Sequence, residues 1–262
     1  MSTAAGSGTP FFRRVFIDTG RLAAFGAHLA ISGAIVCAVT LVVWLFWNPG
    51  PFFMHDGGLQ MLRMLVMVDV VVGPILTLLV FRRGKPELRR DLAVIALIQL
   101  VALAYGVGVA YLYRPAFAVM VDKNFFSVNW PDIRAADSDV ARIEGWKPLR
   151  GPGWAQLVLP TDPAGLLRVR ERYSAPGAPG ATTWGDYYAP MDDKAWESTF
   201  ARSANIEAMA KEEPEIRRDL DEFLAREKRP VADFAFVPMI MRYGVVMLAI
   251  DRKTKTVAGV LG

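Results

Sequence analysis

Asp69 is the residue whose setting demands chemistry. It lies within residues 59–81, an apolar run otherwise broken only by Arg63. Along a helix it is about 18 Å from the basic end of that run. A carboxylate near mid-bilayer costs about 2.5–3.5 kcal/mol on insertion scales, so it needs a partner. Two readings are open. Asp69 is a polar contact to a partner helix or a proton-linked site, or it is a hydrogen-bonded group that ties the protein's own helices together. Tyr105 lies at similar depth in the third apolar run and is a candidate donor to it. Gly73-Pro74 follows one turn later. Pro74, lacking an N–H, frees a backbone carbonyl near Val70 and predicts a kink. That kink is either a tolerated irregularity or a groove where a foreign helix docks. Gly26, Ala30 and Gly33, with Ala102 and Gly106, are small residues at helical spacing, the pattern of tight helix packing. His28 and Gln99 fit packing or snorkelling groups near the inner membrane face.

Other chemistry is sparse. The only histidines are His28 and His55, and the only cysteine is Cys37. From residue 115 onward there is neither, which excludes Ser-His-Asp and Cys-His nucleophilic sites there. No Cys/His metal cluster and no intramolecular disulfide can be built. No phosphate-binding glycine loop of the usual spacing occurs, and no cofactor is expected. Asp192-Asp193 follows Pro190 at a predicted helix start, where acidic residues are favoured by the dipole alone. Glu212-Glu213 reads as a solvated helix face.

The elements that position these groups follow from charge patterning. Residues 22–55 contain no Asp, Glu, Lys or Arg, and neither do residues 92–113. Runs of this length exceed the roughly 20 residues a helix needs to cross a hydrocarbon core. Three membrane helices are predicted, about 27–47, 59–81 and 92–113. A cytoplasmic segment, 1–21, precedes them. Residues 22–114 form the membrane domain and 115–262 a small α+β domain with an antiparallel sheet. The first apolar run is too long for a signal h-region and is read as a retained span.

Charge also sets the expected topology. Arg13, Arg14 and Arg21 precede the first span, and residues 82–90 between the second and third carry five basic side chains. The loop 48–58 has no Lys or Arg. Positive charge marks the cytoplasmic side, so the N-terminus is inside and the polar half outside. Trp44, Trp47, Tyr111 and Tyr113 fit an interfacial aromatic belt at the outer ends. Up to residue 114 there are 10 basic and 5 acidic side chains; beyond it there are 20 and 21. The basic excess therefore suits lipid headgroups, and the polar half shows no basic face for nucleic acid.

In that half, strands are predicted at 116–121, 125–130, 235–241, 244–251 and 256–261, the last three as a meander. A short helix is expected around 135–144 and a Pro/Gly loop at 174–186. Residues 191–229 read as helix divided at Pro214. Trp130, Trp146, Trp154, Trp184 and Trp196 are read as core, or in part as an exposed binding surface.

Several motifs together resemble the type IV pilin accessory proteins of Gram-negative bacteria (the TfpX/TfpZ group). They are Phe25-Gly26-Ala27-His28-Leu29, Trp47-Asn48-Pro49-Gly50-Pro51, Val68-Asp69-Val70-Val71-Val72-Gly73-Pro74, Asp91-Leu92-Ala93-Val94-Ile95-Ala96, Gln99-Leu100, Ala104-Tyr105-Gly106, Arg114-Pro115 and Val121-Asp122. The resemblance is strong over residues 22–130 and weaker beyond. It implies a non-enzymatic inner-membrane accessory or chaperone for the major pilin, with the polar domain in the periplasm. The residues it points to as partner-binding are Asn48, Pro49, Asp69, Gly73, Pro74, Asp91, Gln99 and Tyr105. It implies that the spans hold the pilin helix while the outer sheet and Trp-rich loops meet the pilin head. Two other classes stay open: a membrane-anchored binding, sensor or immunity protein for another ligand, and, more distantly, a membrane enzyme. The residues leave homo-oligomerisation open.

Overall fold

The computed structural model describes residues 19–136, 138–146 and 148–262. Arg13, Arg14 and most of the expected cytoplasmic segment lie outside the described residues. Among the described residues, three helices are long and apolar enough to cross a membrane: α1 (Thr19–Trp47), α3 (Gly58–Val80) and α4 (Leu88–Leu112). Each is helical because a long apolar run satisfies its backbone hydrogen bonds within the segment. A five-residue helix, α2 (Pro51–His55), lies between the first two.

The chain forms two compact units. One contains Thr19–Val42 and Gln60–Ala110; the other contains Val43–Leu59 and Tyr111–Gly262. The second unit thus takes in the loop between the first two apolar helices and the last turn of α1.

In the helical unit, α3 is not regular. Val66–Val72 forms a π turn between two α-helical halves, with the Gly73 N–H donating to the Val68 carbonyl. The cause is Pro74, which has no N–H and whose ring would clash with the carbonyl four residues earlier. One wider turn accommodates both. A π turn in place of a simple kink also fits the tendency of such bulges to occur at functional sites.

In the other unit, seven strands form one sheet among the described residues, in the order β4-β3-β1-β2-β5-β6-β7. They are β1 (Pro115–Val121), β2 (Asn124–Asn129), β3 (Gly153–Leu157), β4 (Tyr188–Pro190), β5 (Phe234–Met241), β6 (Gly244–Asp251) and β7 (Val257–Leu261). The predicted closing meander is β5-β6-β7. Pairing is antiparallel except for β1–β3 and β2–β5, which are parallel. Helices α5 (Trp130–Ala135), α6 (Ala141–Glu144), α7 (Pro163–Ser174), α8 (Asp193–Ala201), α9 (Ile206–Glu212) and α10 (Pro214–Glu227) fill the connections. Asn129, Asp162, Asp192 and Asn205 each accept a backbone N–H at a helix N-terminus, satisfying donors the helix itself cannot.

Both faces of the sheet are covered. Along β5, Val237, Met239 and Met241 join a core with Met120, Phe125 and Trp196, whereas Phe234 and Phe236 join Leu220 and Phe223 on the other side. This is the period-two alternation of a strand. Burial on both faces explains why β1 reads as an unbroken apolar run. Elements beyond the sequence reading include α2, β3, β4 and α7. Strands of three to five residues, and a five-residue helix, carry too little pattern to be recognised. Trp130, expected at the end of a strand, instead begins α5, because Asn129 caps a helix with Pro131 in its first turn.

Candidate functional site

Of the eight residues singled out in the sequence, four meet in the helical unit. Asp69 is 5% exposed, within the π turn. Its Oδ2 is buried with no hydrogen-bond partner among the described residues. Gly73 and Pro74 are buried one turn on. Gln99 reaches over from α4, its Nε2 donating to the Asp69 backbone oxygen at 3.5 Å. A Cβ on Gly73 would lie 1.9 Å from that Nε2, so glycine at 73 is what admits the amide. His28 adds a second polar contact, with Nδ1 2.6 Å from the Thr77 Oγ1. Polar side chains of α1 and α4 therefore converge on α3. Gln99 and His28 bond to the backbone and to Thr77 of α3, and neither bond reaches the buried Asp69 Oδ2.

Tyr105 does not supply the missing donor. Its side chain is 75% exposed, and the expected Tyr105–Asp69 bond does not form. At helical spacing, similar depth places two residues at one level but does not aim them at each other. Gly26 and Gly33, expected to pack tightly, have nothing within 4 Å of where a Cβ would stand. Asp91 lies in the first turn of α4, paired with Lys85. Its carboxylate suits the helix N-terminus.

Asn48 and Pro49 belong to the sheet unit. Asn48 is buried and its Nδ2 donates to the Phe52 carbonyl at 3.4 Å. Pro49 packs on Gly151, whose φ is +70° and whose Cβ, if present, would lie 2.9 Å from the Pro49 Cγ. The Gly151 N–H donates to the Phe46 carbonyl at 2.8 Å. Phe52, on α2, enters the core beside Phe125 and Met239. The motif Trp47-Asn48-Pro49-Gly50-Pro51 thus fastens the exit of α1 to the sheet.

Asp56 completes that fastening. The parallel pairing of β2 and β5 is registered only at Phe125–Met239 and Phe126–Ile240. There the ladder ends, and Asp56 links Ser127 of β2 to Arg242, the residue after β5. It accepts from the Ser127 hydroxyl and from the Arg242 N–H, the latter at 3.1 Å. The Tyr243 N–H donates to the His55 carbonyl at 2.9 Å. Burial pushes the Asp56 carboxyl above the usual carboxylate range, although both hydrogen bonds and the Arg242 charge oppose this. A cleft of about 220 Å³ opens beside it, lined by Asn129, Asp132, Thr182 and Arg242 among others. Sequence reading missed Asp56. Its one signal is an acidic residue beside a long apolar run.

The tryptophans do not form a binding face. Trp130, Trp184 and Trp196 are buried, and Trp154 and Trp146 pack against the two cores. Their large apolar surfaces are used to cover the sheet. Their indoles are taken up by the two cores rather than presented at the surface. Asp192 is a helix cap, accepting from the Ala195 N–H at 2.7 Å, and Asp193 pairs with Lys255. Among the described residues no group of His, Cys, Asp and Glu is arranged to hold a metal ion.

Three relatives match part of the chain. A fimbrial assembly protein of Dichelobacter nodosus, serogroup E1, is 30% identical over 96 residues, 36% of this chain and 37% of that protein. The serogroup I protein is 29% identical over the same shares. That of serogroups C1 and C2 is 29% identical over 96 residues, 36% of this chain and 73% of its own length. The match thus spans little more than a third of the two longer relatives. No family model matches the chain. No solved structure matches it.

Proposed function

We propose that the protein is a non-enzymatic accessory, or chaperone, for type IV pilin in the inner membrane. It binds pilin before assembly and sets the stability or size of its pool. The similarity to fimbrial assembly proteins carries this reading. Three apolar helices followed by a sheet domain give a layout suited to a partner with both a membrane helix and a soluble head. In this proposal the N-terminus is cytoplasmic and the sheet domain periplasmic, following the basic loop at residues 82–90. The docking face is α3 at the π turn, where Asp69 keeps an unpaired buried oxygen. In lipid an unpaired polar atom is costly, so a partner helix whose docking opens the turn and donates to that oxygen gains affinity.

The test is a photoreactive residue at Val72, which is exposed beside the Gly73-Pro74 turn. In intact membranes the expected product is a pilin adduct that weakens on Asp69→Ala. Adducts only between copies of this chain would make the cluster structural. Capture of a protein unrelated to pili would overturn the choice of partner.

A further inference from the structure

We propose that residues 148–150, Pro148-Leu149-Arg150, form a lipid-contacting finger of the sheet domain, fastened at the level where α1 leaves the membrane. Leu149 is 94% exposed, the most exposed of the large apolar side chains among the described residues. A single exposed leucine on a soluble surface is ordinary. This one is placed by two contacts of its neighbour Gly151: the hydrogen bond to the Phe46 carbonyl and the approach to Pro49. Leu149 is two residues from Gly151, so it lies within about 7 Å along the chain of the point tied to α1.

That point is an aromatic girdle. Trp44 and Phe46 are exposed on the last turn of α1. Trp47 meets Tyr111 edge to face at 5.2 Å between ring centroids. The Arg114 guanidinium lies 3.7 Å from the Tyr111 centroid. Amphipathic rings collect at the headgroup level, and arginine beside them keeps its charge in the polar layer. A leucine within that reach of the rings can enter the acyl boundary, while Arg150, exposed beside it, faces anionic headgroups. The occupant is therefore lipid. The effect is to fix the tilt of the sheet domain at the surface through a second contact besides the helices. The inference rests on α1 spanning a membrane, a premise the test checks separately.

The full chain is placed in vesicles of phosphatidylethanolamine and phosphatidylglycerol carrying nitroxide-labelled lipids. An environment-sensitive fluorophore is attached in turn at three positions. The first is native Cys37, exposed on α1. The second is Leu149→Cys and the third, on α10, is Arg218→Cys; both of these carry Cys37→Ser. Leu149 makes almost no contact, so its replacement leaves the fold intact. The expected result is quenching at Cys37 by deep nitroxides. At Leu149→Cys a blue shift and quenching by shallow nitroxides are expected, and neither at Arg218→Cys. Quenching at Cys37 with a fully aqueous signal at Leu149→Cys overturns the finger and leaves the membrane helix standing. An aqueous signal at both overturns the premise and the proposal together.

Discussion

Replacing Asp56 tests whether the loop after α1 is held to the sheet by one carboxylate. Asp56→Ala removes both acceptors and leaves the Ser127 hydroxyl and the Arg242 N–H without them. Each orphaned buried donor costs about 1–3 kcal/mol. The adjoining cleft, about 220 Å³, admits water, which moves the total toward the low end, about 2–4 kcal/mol. For a unit of this size that is roughly 5–15 °C of melting temperature. Asp56→Asn behaves differently. Its Oδ1 still accepts from Arg242 and its Nδ2 donates to the Ser127 oxygen, so its stability at neutral pH stays within about 1 kcal/mol of the parent. The pH dependence separates the two further. Burial raises the folded carboxyl above its unfolded value. The folded state therefore binds the proton more tightly, gains stability as pH falls through the raised value and carries a cost above it. Asn abolishes that slope. The assay is thermal unfolding in micelles by circular dichroism, with amide exchange followed at Arg242 and Tyr243. An Asp56→Ala protein with unchanged melting and unchanged Arg242 exchange would refute the reasoning. So would Asp56→Asn as damaging as Asp56→Ala.

Three further outcomes are expected. Gly151→Ala meets both a left-handed φ of +70° and the Pro49 ring at 2.9 Å; it costs about 1–2 kcal/mol for the conformation alone, read as a lower melting temperature and faster exchange of the Gly151 amide. Gly73→Ala pushes the Gln99 amide off the Asp69 carbonyl, and an unfolding titration in mixed micelles reads a loss of about 1 kcal/mol that Gln99→Ala largely suppresses. Asp251 is held at about 2 by the Arg229 hydrogen bond and by the N–H groups of Thr254 and Lys253. Its stabilisation is full above the unfolded value near 3.8 and is lost as pH falls toward 2. Solvent at the Arg229 side reduces it to about 1–2 kcal/mol, and Asp251→Asn should flatten that limb of an acid titration of stability.

What could be read from the sequence was what is local. Long apolar runs, two of them charge-free, define three helices whatever surrounds them, because in lipid the backbone must satisfy itself. Asp69 stands out by the cost of its setting, and Gly73-Pro74 by backbone geometry. The closing meander is visible because its strands are long enough to show apolar runs bounded by turn residues. Tertiary structure alone decided which of these groups meet. Gln99 rather than Tyr105 reaches the π turn, since side-chain direction depends on how α4 is rotated and not on depth. Asn48 and Pro49, read with the membrane helices by their place in the chain, fasten α1 to a sheet whose strands begin more than sixty residues later. Asp56, with partners 71 and 186 residues away, leaves no periodic trace. Its role exists only because β2 and β5 pair in parallel over a short stretch that brings Ser127 and Arg242 to the same place, and register between distant strands is set by packing on both faces of the sheet.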